Sequence, residues 1–204
     1  MAMLGRMLLS AFALLASADQ HVLKSEHSAA SVRKQLRKAE IIPTVIDDFV
    51  PLLALDAEWS SGHAELGNTL NPNDLDDAPT VALSHLHHHG THHGAFVVVL
   101  TDPDAPSRKD PKWSEMCHWI VLADGSEVMP YKAPGPPEGT GKHRYVFVAL
   151  APENGTAEIY PSKPGDRQHW GYDSDDGETR GVRDWAKDNG LVPIAANFIY
   201  AEHQ

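Results

Sequence analysis

Apolar residues in this chain fall into short runs separated by stretches rich in Gly, Pro and Asp, the pattern of a mainly β protein. The densest run is Phe96 to Val99, four consecutive β-favouring positions that predict a strand buried on both faces. It leads into Asp102-Pro103-Asp104-Ala105-Pro106. Proline gives the ladder no N–H and disfavours helix in the residue before it, so the strand must stop there. Further strands are predicted within Phe49 to Trp59, at Thr80 to Ser84, within Trp113 to Val121, at Val146 to Leu150 and at Leu191 to Tyr200. Helical spacing occurs twice. Ser31 to Glu40 puts Val32, Leu36 and Ala39 on one face before Pro43 ends the pattern. Thr179 to Asn189 turns Val182, Trp185 and Ala186 inward, with Gly190 as its stop. Residues 67–73 read as turns, and 160–178 as mostly loop. No repeat and no linker divides the chain, which predicts a single domain.

Composition narrows the picture. Of 204 residues, 42% are hydrophobic, enough for a sizeable core, and 15 Gly with 15 Pro agree with a loop-rich β protein. A net charge of −11 argues against nucleic acid and against docking on anionic lipid, both of which need a basic footprint. The single cysteine, Cys117, rules out an internal disulfide. Met1 to Ala18 carries Arg6, then a mostly apolar run, then Ala16-Ser17-Ala18, a small-x-small cleavage pattern. It reads as a secretory signal peptide, too short to span a membrane, with residues 19–204 as the mature domain. An apolar N-terminal helix, or a start codon placed too early, is the other reading. Export would make the sequon Asn154-Gly155-Thr156 usable for glycosylation and place the protein outside the cell or in a secretory or vacuolar lumen.

The candidate chemistry lies at strand ends. Asp102 and Asp104 sit on a stiff turn after a core strand, His118 lies in the next strand, and Gly135 to Tyr145 brings Gly/Pro turns and His143. In the plain reading Asp104 accepts turn N–H groups and Arg108 pairs with a carboxylate. In the functional reading Asp102, His118 and His143 line a small polar cavity for an anion, with Asp102 either protonated or meeting an ammonium group. Spacing alone does not choose between them. His85 to His93 is a histidine-rich run, but it has no acidic or thiol partner nearby and is loosened by Gly90 and Gly94. It reads as a solvated variable loop over residues 85–94, with no metal. Cys117 beside His118 suggests a nucleophile. Strand alternation points the two side chains to opposite faces, so Cys117 is expected to pack.

Three motifs carry a resemblance. D-P-D-A-P-S-R from Asp102 to Arg108, the histidine sixteen residues after Asp102, and G-P-P-E-G-T-G-K-H-R-Y from Gly135 to Tyr145 resemble the phosphatidylethanolamine-binding protein family. The resemblance runs from Ser31 to Glu202. Trp113-Ser114-Glu115-Met116-Cys117-His118, Gly67-Asn68-Thr69-Leu70, His169-Trp170-Gly171-Tyr172, Trp185-Ala186-Lys187 and Asn197 to Glu202 place it in the fungal branch similar to the carboxypeptidase Y inhibitor. It implies an antiparallel β-sandwich with a Greek-key element and a few short peripheral helices. It also implies a pocket for phosphate-like anions or phospholipid head groups, formed by Asp102, Pro106, His118, Gly135, Pro137, His143 and Tyr145. Asp104, Arg108 and Arg144 are then structural.

The function so implied is non-enzymatic and needs no cofactor: binding of an anionic ligand, or inhibition of a serine carboxypeptidase. Two other classes are open: an enzyme or accessory in fungal anhydride-polyketide biosynthesis, with His118 or His143 shuttling a proton, and a cytosolic kinase-pathway regulator. The sequence departs from many animal members at Met116, where they carry tryptophan two residues before the pocket histidine, and its N-terminal segment is unlike the one the fungal inhibitor uses.

Overall fold

The computed structural model describes residues 28–86, 91–156, 158–168, 170 and 181–204. The expected signal peptide, the centre of the histidine-rich run and the Gly171-Tyr172 part of the motif lie outside these residues.

Helix α1 spans Ala29–Lys38, two residues earlier at each end than the spacing suggested. The Ser28 hydroxyl accepts the Ser31 N–H at 3.2 Å and starts the helix one turn before the apolar stripe makes it visible. Val32 and Leu36 are buried, Ala39 is the C-cap, and Glu40 turns into the left-handed region at φ 55°. Strand β1 is Leu53–Trp59, β2 Gly62–His63, β3 Asn68–Thr69 and β4 Thr80–His85. Strand β5 is Val97–Asp102, β6 Met116–Leu122, β7 Glu127–Met129 and β8 His143–Pro152. Helix α2, Gly181–Asp188, precedes β9, Leu191–Ala201.

The strands form two sheets, ordered β2-β1-β4 and β3-β9-β8-β5-β6-β7. All described pairings are antiparallel except β3 against β9, where the short turn-rich segment runs alongside the last strand. Alternation along β5 and β8 distributes their side chains between two cores. Val98, Leu100, Phe147 and Ala149 meet Leu53, Leu55, Trp59 and Leu83 of the small sheet, which makes the β-sandwich. Val97, Val99, Val146 and Val148 meet Val32 and Leu36 of α1 and Val182, Trp185 and Ala186 of α2. The large sheet is therefore a middle layer covered on both faces. This explains why every residue of β5 is buried and why it reads as an unbroken apolar run.

Two strands depart from the sequence reading in ways that matter for the site. Strand β8 begins at His143 rather than Val146, so His143, Arg144 and Tyr145 are strand residues whose side chains alternate. Strand β6 begins at Met116, and its register against β5 shifts between Leu100↔Trp119 and Thr101↔Cys117. The bulge leaves His118 as the extra residue. Cys117 thus packs toward the helices, while Trp119 packs in the sandwich core.

Candidate functional site

The ends of β5, β6 and β8 converge, and alternation sorts their polar residues onto two faces. On the sandwich face, Asp102, His118, His143 and Tyr145 come together, all buried. The His118 and Tyr145 rings meet edge-on with centroids 5.1 Å apart, and the His143 and Tyr145 rings are stacked at 6.4 Å. Asp102 Oδ1 accepts the Asp104 N–H at 2.7 Å, and Asp102 Oδ2 lies 2.8 Å from His143 Nδ1. His143 Nε2 lies 3.0 Å from the Thr140 hydroxyl, which donates to the Pro137 carbonyl at 2.7 Å. Both ring nitrogens of His143 and both oxygens of Asp102 are thus engaged.

His118 is held differently. Its Nδ1 lies 2.7 Å from the Lys132 carbonyl and can only donate to it, which leaves Nε2 without a hydrogen-bond partner among the described residues. Burial lowers the His118 pKa, and Lys132 and Arg167 act in the same direction, while Asp102 and the Lys132 carbonyl oppose it. The ring is neutral at neutral pH. Tyr145 lies beside the Gly135 main chain, and burial followed by the Asp102 charge raises its hydroxyl well above the ordinary value, so it keeps its proton. Pro106 is half-buried at the end of the turn. Gly135 and Pro137 are exposed, and Pro137 enters the network through its carbonyl.

The opposite face carries Asp104, Arg144, Thr101 and Glu115. Asp104 Oδ2 accepts the Arg144 main-chain N–H at 2.8 Å and its Nε at 2.9 Å, while Asp104 Oδ1 accepts Nη2 at 2.5 Å. Arg144 Nη1 donates to the carbonyls of Ala39 and Glu40 at 3.0 and 2.9 Å, satisfying the end of α1. Arg108 is exposed and pairs with Glu40 at 2.6 Å.

Two residues that the site reading did not include are now visible. Glu115 is completely buried; Oε2 accepts the Thr101 hydroxyl at 2.8 Å and Oε1 has no hydrogen-bond partner among the described residues. Burial pushes its pKa up to about 7, against the Thr101 hydroxyl, the Val182 main chain, Arg183 and Arg144, which favour the charged form. Arg167 donates to the carbonyls of Cys117, His118 and Pro130 at 2.9, 3.0 and 2.7 Å, and so fixes the strand that carries His118. Glu115 stands three residues before His118 in a quoted motif and was open to suspicion. Arg167, fifty residues from Cys117 in a loop, carried no signal.

Cys117 is buried, with its thiol pushed up to about 12 by burial. His85 and His92 meet edge-on at 6.5 Å, and His92 packs on Phe96. Among the described residues no group of three His, Cys, Asp or Glu could hold a metal. A groove of about 410 Å³ at the Trp59–Ser61 turn is lined by Glu58, Asp74, Asp76 and Asp77 and holds none of the expected site residues. Its charge suits no anion. No helix among the described residues is long and apolar enough to cross a membrane.

The family model described as phosphatidylethanolamine-binding protein matches residues 60–123 and 122–199, a stretch that contains Asp102, His118, His143 and Tyr145. The chain belongs to the phosphatidylethanolamine-binding protein family. Within that family, the carboxypeptidase Y inhibitor of Saccharomyces cerevisiae is 38% identical over 132 residues, 52% of this chain and 59% of its own length. The chain thus spans less than two thirds of that relative in the alignment. An uncharacterized protein of the same yeast is 31% identical over 86% of this chain and 95% of its own. Among solved phosphatidylethanolamine-binding protein folds, the carboxypeptidase Y inhibitor complexed with its cognate proteinase superposes with a TM-score of 0.75 at 31% identity. It covers 87% of this chain and 98% of the solved one.

Proposed function

We propose that this phosphatidylethanolamine-binding protein is a non-enzymatic binder whose strand-end site takes a phosphate-type anion or phospholipid head group, and that it inhibits a serine carboxypeptidase. The observation that carries the binding reading is the convergence of His118, Tyr145 and the Asp102–His143 pair at one end of the large sheet, with His118 Nε2 left open. The inhibitor reading rests on the likeness to the carboxypeptidase Y inhibitor in its complexed form, over most of this chain. A binding role also fits the state of Cys117, whose thiol is buried, protonated and on the far face of β6 from the site. Asn154 is exposed beside Thr156, as a glycosylated asparagine requires, and this supports a secretory or vacuolar lumen. Mass spectrometry of protein from its source, showing a start near Asp19 and a glycan on Asn154, tests that location.

Calorimetric titration with phosphate and phosphoethanolamine tests the site. His118→Ala is expected to weaken both about tenfold or more, since a hydrogen bond to a charged group contributes roughly 1.5–3 kcal/mol. Wild-type affinity in that variant would move the site elsewhere. Titration of carboxypeptidase Y activity with the purified chain tests inhibition separately, and undiminished hydrolysis at micromolar inhibitor would refute it.

A further inference from the structure

The hydrogen-bond inventory of the site fixes how many protons it holds, and one is missing for an anion. The Thr140 hydroxyl has a single proton, spent on the Pro137 carbonyl, so at the 3.0 Å contact it is His143 Nε2–H that donates. A second proton lies between His143 Nδ1 and Asp102 Oδ2. The pair therefore has no net charge and no donor left to offer. His118 spends its one N–H on the Lys132 carbonyl and presents a bare lone pair at Nε2. The Tyr145 hydroxyl is the remaining donor of the four residues. Among the side chains of these four residues, a fully ionised anion would meet one donor and one lone pair, and the lone pair repels it.

We propose that the site binds its anion together with one proton, either carried by the ligand as a half-protonated phosphate or taken up from solvent at His118 Nε2. This rests on the anion-binding reading above and adds the protonation state of the bound species. The surroundings of His118 agree. The charged and titratable groups facing it among the described residues are Asp102 from β5, Tyr145 from β8, Lys132 from the segment after β7 and Arg167 from the loop before α2. Lys132 and Arg167 oppose a proton on the free ring, and Asp102 favours one. A bound anion adds a second negative charge beside the ring and tips the balance toward imidazolium.

The test is calorimetry on the full chain with sulfate and with phosphate, run from pH 6 to 8 in buffers of different ionisation enthalpy. Sulfate carries no titratable proton in this range. Its binding should take up about one proton per site and weaken about tenfold per pH unit once the free histidine is neutral. His118→Gln, which can turn its amide NH₂ toward the anion, should bind sulfate with no proton uptake and no pH slope. If only phosphate binds, the P–OH that both its monoanion and its dianion carry in this range supplies the proton, and the proposal stands. Sulfate bound by the wild type with no proton uptake and no pH slope overturns the proposal and leaves the anion site intact. If neither ion binds, the anion reading itself fails, and the proposal with it. Ring-nitrogen shifts of His118 offer an independent check. They should show a neutral Nδ1–H tautomer in the free protein and a doubly protonated ring in the sulfate complex.

Discussion

Asp104 and Glu115 are both fully buried carboxyls, one beneath the end of α1 and one beneath the start of α2, and they solve that problem in opposite ways. Asp104 receives three hydrogen bonds from Arg144, whose remaining contacts hold the carbonyls of Ala39 and Glu40. Glu115 receives one from the Thr101 hydroxyl, has no hydrogen-bond partner for Oε1 among the described residues, and relies on the Val182 main chain and more distant arginines. Desolvation of a carboxylate costs several kcal/mol, and only close, well-aligned donors offset it. Asp104 therefore sits as one half of an ion pair, whereas Glu115 exchanges a proton near neutrality. Burial alone does not set the charge of a group; the partners that arrive with it do.

Arg144→Met removes the guanidinium and leaves Asp104 buried with little compensation, so it should cost about 3–5 kcal/mol in chemical denaturation. It should also loosen hydrogen-exchange protection at the end of α1. A cost under about 1 kcal/mol would mean that Asp104 is neutral and the two carboxyls are alike.

Glu115 has a folded pKa near 7, raised from 4.5, so the folded state binds more protons than the unfolded one between those values. Stability from this group is full below about pH 4.5, declines as pH rises to about 7, and stays reduced above. Glu115→Gln removes that decline. The variant should gain on the wild type progressively from pH 4.5 to 7, by on the order of 3 kcal/mol at most, less whatever its unpaired NH₂ costs. A wild-type-minus-variant difference flat across this range would show that Glu115 ionises like an ordinary glutamate.

The smallest expected effect sharpens the picture of how Glu115 is held. Gly181 opens α2 at φ +24°, and a Cβ there would stand 2.2 Å from the Glu115 carboxyl. Gly181→Ala should destabilise by about 1–3 kcal/mol, and by less in a Glu115→Ala background, where the carboxyl no longer occupies the space. Equal costs in both backgrounds would assign the whole penalty to the backbone angle.

Much of this protein was legible from local order. The buried strand after Phe96, the stop at Asp102-Pro103 and the α2 face of Val182, Trp185 and Ala186 follow from periodicity and proline chemistry, which act over a few residues. The family could be read from motifs that keep their spacing. Three features lay beyond that range. The bulge that seats His118 beside Trp119 depends on the register against β5. The pairing of Asp102 with His143 spans forty-one residues, and it turns a suspected anion donor into half of a neutral pair. Arg167 acts on β6, and Gly181 on Glu115 just before it, from segments far along the chain where no local pattern marks them. Periodicity says which face of a strand a residue occupies. Only the folded sheet decides which distant atom stands opposite, and hydrogen bonds and proton positions are set by that atom.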